Sequence, residues 1–230
     1  MPYLVLAIVA GLAAVERKGF LQAMLSRPVA LAPITGWALG DLEAGVLLAA
    51  PLELLWLGAV NLGAALPVHE ALATAAITGG AVLSGRALGA PVGPEIALLA
   101  TLVGIPLAVL GRSVDRLTEA WNEHLADRAE TQLSHGHVRA AARTNLHGLL
   151  IPFAVGAVLA PVGAALTALV VPAALHRLPD GASLRLGFLV FSAFACAAGA
   201  RAMRARSAPG FFYAALAGAL VAGLVVGGHR

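Results

Sequence analysis

The sequence is poor in charged residues, in aromatic residues and in cysteine. Charged residues make up 12% and aromatic residues 5% of the 230 positions, whereas about 25% of a typical soluble domain is charged. So little polar surface excludes a water-exposed body of this size, and the lipid bilayer is the solvent that the composition fits. The single cysteine, Cys196, excludes an intramolecular disulfide framework. No basic patch with stacking aromatic residues indicates a nucleic-acid surface.

Apolar and small residues are abundant instead. Hydrophobic residues make up 60% of the sequence, with 26 glycines and 13 prolines, and the mean hydropathy is +0.87. Small residues let helices approach closely inside a membrane. The first fifteen residues lack the basic start of a signal peptide, and Glu16, Arg17 and Lys18 follow the apolar stretch. We interpret this stretch as a retained membrane segment.

Several apolar stretches are shorter than the roughly 20 residues that a full helical span requires. The stretches cover residues 2–15, 28–40, 44–66, 71–83, 95–111, 148–176, 186–200 and 208–228. Short segments interrupted by glycine and proline are typical of transporters and channels, in which irregular backbone is covered by protein or lines a wet cavity. The sequence therefore predicts an all-α, polytopic integral membrane protein with broken or re-entrant helical hairpins.

Three regions are distinguished by composition. Residues 1–110 form an N-terminal membrane region with re-entrant segments and the candidate binding site, 111–147 an amphipathic polar connecting segment, and 148–230 the C-terminal membrane helices. Prolines interrupt the stretch 148–176, which fits either one kinked helix or a broken pair.

The polar segment contains an apolar stripe at helical spacing. Its members are Val114, Leu117, Trp121 and Leu125. This pattern fits a surface helix packed on its neighbours, and it also fits an interfacial helix or a docking face for a soluble partner. Four histidines of the same region lack cysteine or carboxylate partners at metal-binding spacing. No metal and no cofactor are therefore expected.

Three polar residues interrupt the apolar segment 36–67: Asp41, Glu53 and Asn61. An ionised carboxylate such as Glu53 is costly in such a run and is usually retained for function. Asn61 follows eight residues later, which is about 80° around a helix and about 12 Å along it. A carboxylate and an amide together supply acceptors and donors for a polyhydroxylated ligand. The structural alternatives are a helix cap for Asp41, a structural carboxylate at Glu53 and an interhelical hydrogen bond for Asn61.

The order of these residues resembles the IIC membrane subunit of the mannose–fructose–sorbose family of bacterial sugar phosphotransferase systems. The resemblance extends over almost the whole chain in length and order, and it is specific in the N-terminal third. The matching positions are Ser26-Arg27-Pro28, Gly40-Asp41, Gly45, Leu52-Glu53-Leu54, Leu57-Gly58, Asn61, Gly63-Ala64-Ala65, and Pro209 with Phe211-Phe212-Tyr213.

This resemblance implies a multi-pass permease of the bacterial cytoplasmic membrane that binds a sugar outside and passes it inward as it is phosphorylated. It also implies a complex with the IID membrane subunit, homo- and hetero-oligomers, and phosphate transfer by histidines of soluble IIA and IIB proteins. This chain would then carry no phosphorylated or catalytic residue. Glu53 and Asn61 become the first candidates for sugar binding, followed by Asp41 and Gln22, with Arg27-Pro28 shaping a hairpin near the site.

The sequence departs from the family pattern after the Gly-Ala-Ala run. Many relatives have Pro-Asp where this chain has Val68-His69, followed by Glu70. If that aspartate contributes to the site, His69 or Glu70 must substitute for it, so His69 joins the candidates. The departure leaves open a second function, a regulatory or scaffold subunit that senses sugar-system components without transport. A membrane-embedded enzyme is not supported, because neither H-E-x-x-H nor G-x-S-x-G occurs.

Overall fold

The computed structural model describes residues 1–18, 23–58, 67–178 and 181–202, together with the isolated positions 210, 213, 214 and 217. Within these ranges the chain forms eight helices and no strand, which confirms the all-α prediction. The helices are α1 (Pro2–Lys18), α2 (Pro28–Ala38), α3 (Leu42–Trp56), α4 (Glu70–Leu88), α5 (Pro94–Ser134), α6 (Val138–His147), α7 (Leu150–Arg177) and α8 (Gly181–Ala202).

Helices α2 and α3 form the expected short hairpin. They have 11 and 15 residues, or about 16 Å and 22 Å, and neither crosses a hydrocarbon core of about 30 Å. Pro28 stands at the start of α2. The first N–H groups of a helix have no acceptor within the helix, so the N–H that proline lacks is not needed there. Gly40 turns the chain with φ +79°, and Asp41 begins α3 by accepting a hydrogen bond from the Ala44 N–H at 3.0 Å.

Two glycines bring the arms of this hairpin into backbone contact. A Cβ atom added to Gly45 would lie 2.4 Å from the Ala32 carbonyl oxygen, and one added to Gly36 would lie 2.5 Å from the Asp41 carbonyl oxygen. Backbone atoms cannot move aside as the end of a flexible side chain can. The close approach of α2 and α3 therefore depends on the absence of side chains at these positions.

We expect Gly45→Ala to open or distort the hairpin and to destabilise the protein by about 1–3 kcal/mol, the usual cost of overpacking a close contact. Thermal unfolding in detergent measures the effect. Gly187→Ala in α8 is the matched control, because the nearest atom there is the Leu98 Cδ2, a side-chain end that can rotate. Equal stability of the two variants would contradict the packing argument.

Helix α4 is the central element of the bundle. Nearly all of its residues from Glu70 to Gly85 are buried, and it packs against α1, α2, α5 and α7. Within the described ranges, four segments are long and apolar enough to cross a membrane: Glu70–Leu88, Pro94–Ser134, Val138–Arg177 and Ser183–Ala202. The chain is a multi-pass membrane protein.

Helix α5 runs without interruption from the apolar region into the polar segment. Its 41 residues extend about 62 Å, so the change in composition near residue 110 does not end the helix. Helix α6 folds back along it, and the Thr144 hydroxyl donates to the Gln132 side-chain oxygen at 2.9 Å. The alternatives left open for the proline-containing stretch are also resolved, because α7 is one helix with Pro161 and Pro172 inside it.

Candidate functional site

Charged side chains gather at one end of the bundle, which we call the polar end. There α1 and α3 end and α2 and α4 begin, and α5 passes through on its way to the polar segment. Two groups of charges lie at this end. One joins α2 to α3 within the hairpin, and the other joins α1, α4 and α5.

The first group is an ion pair between Arg27 and Glu53. The Arg27 Nε and Nη2 donate to the Glu53 Oε1 at 3.0 and 2.5 Å, and the Val29 backbone N–H donates to the Oε2 at 3.1 Å. The carboxylate thus also meets the N-terminus of α2, where negative charge is stabilised. The Arg27 and Glu53 side chains are only 19% and 17% exposed, so water screens the pair weakly.

This pair combines donor and acceptor capacity in one place. A carboxylate has about four lone-pair positions and a guanidinium has five N–H groups, and the contacts above use only part of each set. A sugar hydroxyl both donates and accepts a hydrogen bond. The pair therefore offers the complementary chemistry for adjacent hydroxyls of a polyol.

Asp41 lies at the opposite end of the hairpin from Glu53. Twelve residues of α3 separate the two, which is about 18 Å along a helix, too far for one monosaccharide to contact both in this conformation. The Asp41 carboxylate caps α3, as the structural alternative from the sequence describes. A sugar contact of Asp41 stays a prediction, and the structure does not bring it together with Glu53.

His69 is buried at the polar end, at the start of α4, and is only 3% exposed. Its backbone N–H donates to the Ala108 carbonyl at 2.9 Å. Its Nδ1 accepts from the Leu72 N–H at 3.2 Å, which assigns the proton of the neutral ring to Nε2. An aspartate at this position could make the same cap. Its sugar contact also stays a prediction.

The second group of charges surrounds Arg17 and was not anticipated from the sequence. Its Nη1 lies 2.8 Å from the Asp115 Oδ2 and its Nε 3.3 Å from the Glu70 Oε2. All three side chains are at most 6% exposed. Lys18 lies 3.2 Å from the second Asp115 oxygen. The network connects the end of α1 to α4 and α5 beside His69. Arg17 is 53 residues from Glu70 and 98 residues from Asp115 in the sequence.

Asn61 and Gln22 lie outside the described residues, so their roles in sugar binding stay predictions. The same holds for most of the C-terminal aromatic motif, of which Tyr213 alone is described. Among the described side chains, no group of three or more His, Cys, Asp or Glu is arranged to hold a metal ion.

Comparison with known proteins identifies the family. Residues 1–226 match the family described as the sorbose-specific IIC component of the phosphotransferase system. The chain belongs to this family. The mannose-specific EIIC component of Escherichia coli (strain K12) is 30% identical over 139 residues, covering 56% of this chain and 50% of that protein. The fructose permease IIC component of Bacillus subtilis (strain 168) is 30% identical over 111 residues, covering 48% and 39%. The chain thus spans about half the length of these relatives or less.

Two solved structures show the same fold. One is a complex of the mannose transporter ManYZ with microcin E492. A chain of it superposes with a TM-score of 0.61 at 20% identity, covering 99% of this chain and 91% of that one. The other, described as a membrane protein, gives a TM-score of 0.64 at 22% identity, covering 98% and 91%. These identities support the shared architecture and not a shared substrate.

Proposed function

We propose that this chain is the IIC permease subunit of a sugar phosphotransferase system in a bacterial cytoplasmic membrane. It binds a hexose-like sugar and passes it inward, where soluble IIA and IIB proteins supply the phosphate. A IID subunit completes the membrane complex. On this proposal the chain positions and moves the sugar, and it carries no phosphorylated residue of its own.

The observation that carries the proposal is the Arg27–Glu53 pair at the base of the hairpin, where α2 begins and α3 ends. A charged pair that is mostly buried is costly to desolvate and contributes little net stability, so a stability role alone explains it poorly. It also lies where two short helix ends leave polar backbone groups to be satisfied. In a family of sugar-system membrane subunits, a polyol is the solute that matches this donor and acceptor set.

The distribution of basic residues supports coupling to soluble phosphocarriers. Lys and Arg flanking membrane segments favour the cytoplasmic side. Most of the described ones lie at the polar end and on the α5–α6 extension: Arg17, Lys18, Arg27, Arg112, Arg116, Arg128, Arg139, Arg143 and Arg201. Only Arg86, Arg177 and Arg185 of the described basic residues lie toward the opposite end. The polar end then faces the cytoplasm, where the phosphate donors are.

Uptake in a bacterial strain deleted for its own mannose-family permeases tests the proposal. We expect cells that express this chain with its IID, IIA and IIB partners to accumulate phosphorylated sugar from a panel of labelled D-mannose, D-fructose and N-acetylgalactosamine. These sugars are chosen because relatives are named for them. Cells lacking only IIB provide the control, since they should form no sugar phosphate. Absence of uptake of all three sugars by the complete system would favour the regulatory or scaffold function.

A further inference from the structure

Three buried threonines of the hairpin and the central helix have no hydrogen-bond partner for their hydroxyl groups. They are Thr35 of α2 and Thr74 and Thr78 of α4, all 0% exposed. A buried hydroxyl without a partner has lost its hydrogen bonds to water and destabilises the folded protein. Threonine in a helix normally avoids this cost by donating to the carbonyl four residues earlier.

Four of the five other threonines in the described chain make that bond, and the fifth, Thr144, donates to the Gln132 side chain instead. Thr101 donates to the Ala97 carbonyl at 2.7 Å, Thr118 to the Val114 carbonyl at 3.0 Å and Thr167 to the Gly163 carbonyl at 2.9 Å. Thr35, Thr74 and Thr78 are therefore exceptions within the same protein. Their hydroxyls are turned away from the bond that their own helices offer.

The three exceptions lie on buried faces of α2 and α4, two helices that pack against each other. The two helices run in the same direction. Leu31 belongs to the same apolar cluster as Ala75, and Leu39 to the same cluster as Val82. Thr35 lies midway between the two leucines, and Thr78 midway between Ala75 and Val82. This register places Thr35 at the level of Thr78, with Thr74 one turn away.

The contact is closed at the hairpin tip by a polar bond. The Arg86 guanidinium of α4 donates to the Leu39 carbonyl at the end of α2. The three unpartnered hydroxyls are therefore enclosed among buried residues of the hairpin and of the most buried helix of the bundle.

We propose that Thr35, Thr74 and Thr78 form a subsite for hydroxyl groups of the transported sugar, closed in this conformation and occupied when α2 separates from α4. A hydroxyl can donate to one threonine and accept from another, which satisfies groups that are otherwise orphaned. Such a site rejects analogues that lack the bound hydroxyl. The inference rests on the proposed function, because it assumes that the solute is a polyol.

The test replaces each hydroxyl by a methyl group of similar volume. We expect Thr78→Val and Thr35→Val to raise the KM for uptake about five- to tenfold, measured with whichever sugar of the panel the parent takes up. Thr78→Ser, which keeps the hydroxyl, should stay within about twofold of the parent. Thermal stability of the valine variants should be unchanged or higher, because an orphaned buried hydroxyl is removed. Thr101→Val is the control, since its hydroxyl is bonded within its own helix.

Monodeoxy analogues of the same sugar make the test specific. One analogue should bind the parent more weakly, and Thr78→Val should weaken that analogue no further, because both changes remove the same bond. Unchanged KM in both valine variants would overturn the subsite while leaving the permease function intact. Failure of the parent to take up any panel sugar would overturn the proposed function, and the subsite with it.

Discussion

Glu53→Gln is expected to reduce sugar uptake by about 10–100-fold, while the protein still inserts into the membrane. The substitution keeps the side-chain shape and removes the negative charge that faces Arg27 and the α2 N-terminus. Hydrogen bonds that involve a charged partner contribute about 1.5–3 kcal/mol, and each 1.4 kcal/mol corresponds to a factor of ten. The measurement is uptake of labelled sugar by membrane vesicles with matched amounts of protein.

A structural effect of losing the ion pair must be separated from a loss of sugar contact. The double variant Arg27→Gln/Glu53→Gln removes both charges of the pair, so neither side chain is left as an unpaired charge. If Glu53 binds sugar, the double variant stays inactive although its thermal stability recovers. Recovery of uptake together with stability would show that the pair is only structural, and would remove the main support for the site.

A second ion pair provides a matched control for the same experiment. Arg185 and Glu95 join α8 to the start of α5, toward the opposite end of the bundle from Arg27 and Glu53. Glu95→Gln changes one charge in the same way and should leave the KM for sugar unchanged. Comparable losses in Glu53→Gln and Glu95→Gln would indicate that uptake depends on general charge balance and not on the hairpin base.

The sequence predicts the hairpin because its determinants are local. Short apolar runs, Pro28 at a helix start and the Gly40-Asp41 turn all lie within about thirty residues of one another. Glu53 is also recognisable locally, since a carboxylate between leucines is costly in a membrane. The unfavourable placement of a charge among apolar residues is visible in the sequence before any fold is known.

The partners of these residues are not predictable in the same way. Arg27 precedes Glu53 by 26 residues, and its pairing depends on where the hairpin turns. Arg17 meets Asp115 across 98 residues, so only the packing of α1 against α4 and α5 brings them together. The composition of the sequence changes near residue 110, but this change does not reveal where α5 ends. The helix continues because its backbone hydrogen bonds do not depend on side-chain polarity.

The three unpartnered threonines could not be predicted from the sequence either. Threonine is common in membrane helices, and no pattern in the sequence distinguishes Thr78 from Thr101. The difference lies in side-chain rotamers and in the neighbouring helix. Burial and hydrogen bonding must both be known before the cost of such a hydroxyl becomes visible.

The Arg17 network should be the most sensitive point for stability. Arg17→Met leaves the buried Glu70 and Asp115 carboxylates without their shared guanidinium. Removing one partner of a buried ion pair costs about 3–5 kcal/mol, so we expect a large drop in thermal stability in detergent and little monodisperse protein. Lys18→Met is the matched comparison and should cost about 1 kcal/mol or less, because Lys18 is more exposed, its partner Glu119 is 49% exposed, and its other partner Asp115 keeps the Arg17 guanidinium.

Neutralising the acids tests the cause of this loss. The triple variant Arg17→Met/Glu70→Gln/Asp115→Asn removes the two buried carboxylate charges that Arg17 pairs, and it should recover most of the stability that Arg17→Met loses. The cost of the single substitution then lies in two desolvated carboxylates and not in the lost packing of a long side chain. If the triple variant is no more stable than Arg17→Met, packing of the arginine stem is the larger contribution, and the electrostatic account of this junction is wrong.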